Sequence, residues 1–464
     1  KKGVYGGFPS GPVWSKTDKG VPSGGGLPSG PVASKILITF SKSLFCLYNI
    51  TEMVFSNKSK HLMKTFIQKN IQHTHKTDEI FTELYYKLLG AYNYVKQNNG
   101  VSFGKSGQLY EIKMRQIKTK NQIILPSQVD LRALPETIQQ GIISSMSTEI
   151  SYTFKLFERK IKIIFVLEED FKKVNINTYN KHVDMMIMWL WIIHQYADSK
   201  CSSNLVVYVY FTPLEKRVPL SKSIILDESN VNTAITTGCL VNAEIVIYRK
   251  EEWFKVFIHE TCHSFGIDFS NMNNAECTRR ILNLFPVNSK VNLFESYTEF
   301  WAETMNVLFC SFMLLKNKNN IEEFLNNAQI LMNTERNYSF FQLVKTLNFM
   351  GLQYKDLYSL KSDILRDALY KENTNVLSYY VIKTILMNNY PAFFYWCKTN
   401  NNSLLQFNKT AANQVKYCDY IEKNYKTRSM LEGIKNATQL LNHKKTKTDI
   451  FLLSNMRMSL CELG

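Results

Sequence analysis

The chain has 464 residues, 45% of them apolar and 20% charged, a balance ordinary for a globular protein and a length that suggests two or three domains with sizeable cores. Its formal net charge of +17 sits on lysines scattered among Asn, Ile and Tyr; with no long basic block, no classical zinc finger and no RNA-binding aromatic signature, nucleic acid is not an expected partner. The nine cysteines are odd in number, irregularly spaced and without a CxxC pair, which argues against a disulfide framework and for a reducing compartment, and the longest apolar run, 185–193, is far short of the roughly 18–20 residues a membrane span needs.

Residues 1–52 read as a Gly/Pro/Ser-rich arm with no secretory signal, either flexible or ordered against a partner. Within it the eleven residues from Gly6 to Lys16 recur from Gly25 to Lys35 with nine identities, and the first Met is Met53, so the arm's place in the natural product is open. Residues 53–155 are expected to be helical. Ile80, Leu84, Leu88, Leu89 and Tyr92 place one helix over 79–95, and Pro126 and Pro135 mark loops.

From about 156 the pattern is mixed. Strands are expected at 161–167, 204–211, 232–240 and 243–248, with a helix at 179–197. A helix over 250–265 ends at Gly266. Beyond 290 the signals are helical, at 291–315, 321–332, 337–350, 375–388 and 411–426. The expected class is α+β, with a core at 156–316 and a largely helical region at 317–464.

The informative stretch is His259-Glu260-Thr261-Cys262-His263. One helical turn separates the two histidines, so both rings reach one zinc ion, and Glu260 beside them is placed to take a proton from water. Two histidines and a glutamate on an otherwise apolar helix are costly without such a partner. Cys262 reads as a small buried residue. A catalytic zinc takes three protein ligands, yet the next histidine is His443. The third ligand is therefore expected from Glu295, Glu299 and Glu303, which share one face of an apolar helix at i, i+4 and i+8.

A helix with HExxH followed by a second helix with Glu-x-x-x-Glu resembles the gluzincin zinc peptidases. The resemblance implies a zincin-like catalytic domain, a small sheet plus the HExxH helix, binding one Zn2+ per chain. It makes His259, His263 and Glu295 the ligands, Glu299 the carboxylate supporting a ligand histidine, and Glu260 the general base. Sliding by one turn instead gives Glu299 as ligand and Glu303 as support. Tyr379, Tyr380 or Tyr297 is expected to stabilise the oxyanion, with Tyr380 the first choice. Thr237 and Gly238, on the expected strand at 232–240, are expected to contact a peptide or protein substrate.

The stretch 204–310 and the terminal Met456-Arg457-Met458-Ser459-Leu460-Cys461-Glu462-Leu463 also look like peptidase-like proteins of large DNA viruses. That implies an intracellular (cytoplasmic) or virion protein, not a secreted one, with other virion proteins as partners of the arm. The competing expectation is a structural, capsid-associated protein that keeps a zincin fold with little or no activity.

Overall fold

The structure, a computed structural model, describes residues 55–67, 73–99, 109–144, 146–446 and 449–463. The 1–52 arm and its duplication lie outside them. The class is α+β: many helices around one mixed sheet of six strands. No helix among the described residues is long and apolar enough to cross a membrane.

Helices α1 (Asn57–Phe66) and α2 (His75–Asn99) precede the first strand. The strands are β1 (Glu111–Gln116), β2 (Thr148–Leu156), β3 (Arg159–Leu167), β4 (Asn204–Phe211), β5 (Ala234–Thr236) and β6 (Asn242–Ile247). Their order across the sheet is β1-β2-β3-β4-β6-β5. β3, β4 and β6 run parallel, and β1–β2, β2–β3 and β5–β6 pair antiparallel. Parallel strands are covered on both faces and read as near-continuous apolar runs, as in the buried Val207-Tyr208-Val209-Tyr210 of β4. One face carries a cluster built from Ile123, Leu134, Ile138, Ile142, Val166, Tyr210 and Tyr248, which includes α3 (Glu136–Ser144). The motif helix α5 (Trp253–Ser264) packs against β5 and β6, and α4 (Ile176–His194) packs against α5. The indole N–H of Trp189 on α4 donates to Thr261 Oγ at 2.6 Å.

Two expectations fail in the first third. The stretch 53–155 is not wholly helical, since it supplies β1 and most of β2, and β2 runs across the boundary drawn at 155/156. β1 is an edge strand whose residues are largely exposed, so its Glu-Ile-Lys-Met-Arg-Gln sequence carries no apolar run to betray it.

Beyond the motif helix follow α6 (Ala275–Leu284), α7 (Leu293–Leu314), α8 (Ile321–Met350), α9 (Asp363–Leu369), a π-helical segment Leu377–Ile382 running into α10 (Lys383–Asn388), α11 (Tyr390–Asn400), α12 (Ala411–Asn424), α13 (Arg428–Thr446) and α14 (Ile450–Ser454). α8 is continuous where two helices were expected. Its polar middle, Asn333 to Asn337, reads as a break in sequence. In the fold Glu335 and Arg336 bond to other segments instead.

After α14 the chain enters the interior. Residues 456–461 are all buried and form a strap between α5, α8 and the π-helical segment. Side chains satisfy many of its backbone polar groups, and Met456 N–H donates to the Lys216 carbonyl. Glu252 takes the N–H groups of Met458 and Ser459, and Glu335 takes those of Leu460 and Cys461. Asn306 Nδ2 donates to the Cys461 carbonyl.

The thiol expectation is corrected at one pair. Cys201 and Cys239 form a disulfide, 38 residues apart in sequence with Cα atoms 4.8 Å apart. Spacing gives no hint of it because the approach is tertiary: Ser202 N–H donates to the Leu240 carbonyl across the β4–β6 end of the sheet. Cys262, Cys277, Cys310, Cys397, Cys418 and Cys461 are free and buried.

Candidate metal centre

Every residue of α5 is buried, so its polar side chains need partners inside the protein. Lys255, His259 and His263 follow one another at one-turn intervals and form a stripe on one face. The stripe faces another on α7, made of Glu295, Glu299 and Glu303. The pairings run in opposite senses: Lys255 meets Glu299, His259 lies between Glu299 and Glu295, and His263 meets Glu295.

Each imidazole has a carboxylate on its Nδ1. His259 Nδ1 lies 2.8 Å from Glu299 Oε2, and His263 Nδ1 lies 2.6 Å from Asp268 Oδ2. Lys255 bonds Glu299 on its other oxygen; burial pushes that carboxyl up, but the charges of Lys255, His259 and Lys383 and the His259 hydrogen bond hold it well below the usual carboxylate range. An ionised carboxylate only accepts, so His259 carries its proton on Nδ1, and a donated Nδ1–H to Asp268 fixes His263 in the same way. The two Nε2 atoms then present lone pairs.

Those lone pairs converge with a third. The two Nε2 atoms are 3.0 Å apart, and Glu295 Oε2 lies 3.1 Å from the first and 3.5 Å from the second. At zinc–ligand bonds of 2.0–2.1 Å, tetrahedral ligand atoms stand about 3.3 Å from one another, so the triangle has the size of one face of such a site. Three electron-pair donors facing one another in a buried space fit a cation. His259, His263 and Glu295 form the one such His/Cys/Asp/Glu group among the described residues. Glu303 is a turn too far along α7 and instead accepts from Lys383 Nζ at 2.6 Å, so the register with Glu299 as ligand is not the one the fold assembles.

With no cation between them, protons compete for the same lone pairs. Burial alone lowers the pKa of both histidines, but Glu295 and Glu299 around His259, and Asp268 and Glu295 around His263, raise them above the ordinary value, the latter strongly. A metal binding there would release protons. The expected result is that zinc affinity rises with pH and is lost as pH falls through the raised histidine values, which a chelator-competition series across pH measures.

Asp268 was not legible from spacing alone. The turn at Gly266, with φ +67°, ends α5 and brings Ile267 N–H onto the Cys262 carbonyl, which swings Asp268 back under His263. Ser270 Oγ donates to the other Asp268 oxygen.

Glu260 is buried beside this triangle, and the described residues give its carboxylate no hydrogen bond or ion pair. Burial raises its pKa, with Glu295 adding to the effect and His259, His263 and Lys255 opposing it. Tyr379 donates its hydroxyl to Glu295 Oε2 at 2.8 Å, whereas Tyr380, the residue expected there, donates to the Met456 carbonyl at 2.7 Å. Neighbours on a helical turn point in different directions, so only one can face the triangle. Tyr297 points elsewhere, to the Leu405 carbonyl.

No protein-family model, curated protein or solved structure matches this chain.

The expected strand at 232–240 shrinks to the three residues of β5. Thr237 is tied to β6, its N–H donating to the Glu244 carbonyl, and Gly238 lies past the strand with φ +74°. Because Thr233 and Thr237 bond inward to Tyr248 and Glu244, Ala234 and Thr236 between them turn their backbone groups to the free edge. Beside that edge lies a cavity of about 350 Å³, lined by Ala234, Ile235, Tyr248, Asn292 and Asn375 among others. Asn292 precedes Glu295 by one turn and Asn375 precedes Tyr379 by four residues.

Proposed function

We propose that this chain is a zincin-like zinc peptidase of the gluzincin kind, with His259, His263 and Glu295 as zinc ligands. The observation that carries the reading is the convergence of two Nε2 lone pairs and a carboxylate oxygen at 3.0–3.5 Å, each histidine locked in the metal-binding tautomer by a carboxylate behind it. The motif helix lying under an antiparallel edge strand supports it, since that strand can receive an extended peptide by backbone pairing.

Zinc held there supplies Lewis acidity, which acidifies water and polarises a carbonyl. Glu260 takes the proton of the attacking water and passes it to the leaving amine; its raised pKa suits both halves of that task. Tyr379 replaces Tyr380 as the hydroxyl that steadies developing negative charge, since it already reaches the ligand set through Glu295. Ala234 and Thr236, rather than Thr237 and Gly238, offer the backbone groups that align the substrate.

Elemental mass spectrometry of the purified protein tests the reading. The expected result is about one zinc per chain, lost in Glu295→Ala and retained with weaker affinity in Glu299→Ala. A protein that takes up no zinc when it is supplied refutes the proposal, and loss confined to Glu299→Ala moves the ligand by one turn.

A further inference from the structure

The stripe that carries the two histidines begins one turn before them, at Lys255, which is 2% exposed. Its neighbours on α5 are Phe254, Val256, Phe257 and Ile258, so nothing in the packing of that helix asks for a cation. Burying an ammonium group is costly unless it is paired and hydrogen-bonded. Lys255 is both. Its Nζ donates to Glu299 Oε1 at 2.5 Å, and the other oxygen of the same carboxylate receives His259 Nδ1 at 2.8 Å.

We infer that Lys255 is a positioning residue for the metal centre, acting through Glu299 to fix the ring of His259. The inference rests on the metal-centre reading above and adds to it a contact the motif does not contain. With one donor on each oxygen, the Glu299 carboxylate cannot turn without breaking a bond. Remove Lys255 and the carboxylate keeps a single partner, so its plane, and with it the direction of the His259 lone pair, is no longer set. A group that acts on a ligand histidine in this way tunes metal affinity even though it never touches the metal.

Lys255 is itself held. Glu252, at the start of α5, lies 3.8 Å from its Nζ. Glu252 accepts from Lys216 Nζ at 2.7 Å on one oxygen and from the N–H groups of Met458 and Ser459, at 3.1 and 2.7 Å, on the other. A buried line therefore runs from the strap through Glu252, Lys255 and Glu299 to His259.

The test is zinc affinity by chelator competition, on the unsubstituted protein, Lys255→Met, Glu299→Gln and the double variant, with unfolding of each metal-free protein followed in parallel. The expected result is a zinc Kd raised about 10–100-fold in Lys255→Met, and a double variant no weaker than Glu299→Gln alone, because the lysine works through that carboxylate. An unchanged Kd in Lys255→Met, or losses that multiply in the double variant, overturns the inference. Where Lys255→Met does not fold, Glu252→Gln loosens Lys255 without deleting it and is expected to raise Kd severalfold; an unchanged Kd there overturns the inference equally. Failure of the unsubstituted protein to bind zinc overturns the metal-centre reading, and this inference falls with it.

Discussion

Glu260→Gln is expected to lower peptide hydrolysis by about 10²–10⁴-fold while leaving zinc content unchanged. The glutamine keeps the size and the acceptor oxygen of the side chain but cannot take a proton. Glu260 has no bond to a described residue to lose, so the fold has little reason to respond. Nor is it one of the three groups that define the triangle. The measurement is turnover of a peptide library by the zinc-loaded protein, beside its metal content and unfolding midpoint. Undiminished hydrolysis would assign the cleavage to a contaminant or to another base. Zinc lost together with activity would mean that Glu260 holds the metal rather than the proton. A zinc-loaded protein that cleaves nothing, with or without the substitution, would favour a scaffold that keeps the fold for a structural task.

The largest effect on stability is expected from Glu335→Ala. Glu335 sits in the middle of α8, fully buried, and receives Ser459 Oγ at 2.6 Å, Leu460 N–H at 3.1 and 3.0 Å on its two oxygens, and Cys461 N–H at 2.9 Å. Alanine strands these three donors in the interior and leaves a hole. The expected cost is about 3–5 kcal/mol, read as a lowered denaturant midpoint. Glu335→Gln keeps one acceptor oxygen and should lose less. A loss below about 1 kcal/mol for the alanine variant, the range of an ordinary surface change, would show that the strap is not docked as described.

The two helices of the candidate metal centre were legible because polar residues recur on them at one-turn spacing. His259 and His263 stand one turn apart, and Glu295, Glu299 and Glu303 betrayed a polar stripe on an apolar helix. β4 was placed to the residue because a strand buried on both faces is an uninterrupted apolar run. The support behind the ligands was not legible. Lys255 stands one turn before His259, but its spacing does not say what it bonds until Glu299 on α7 is laid against it. Asp268 depends on the turn at Gly266. The choice between Tyr379 and Tyr380 depends on the phase of a π-helical segment, which no periodicity of the usual kind reveals. β1 was missed because a largely exposed edge strand carries no apolar run, and the polar middle of α8 was misread because Glu335 and Arg336 serve partners distant in the chain, about which local pattern is silent.

The position of the strap along the chain has a consequence for biosynthesis. By the time a ribosome has made α7, all three candidate ligands exist, but Met458 and Ser459, which secure Glu252 and through it Lys255, lie about 145 residues further on. At usual synthesis rates that interval is roughly 10–30 s. During it the nascent protein has a motif helix and a ligand helix but lacks the segment that completes their bracing. The ligands come early and the brace comes late, so a fully braced site belongs only to chains synthesised through residue 461.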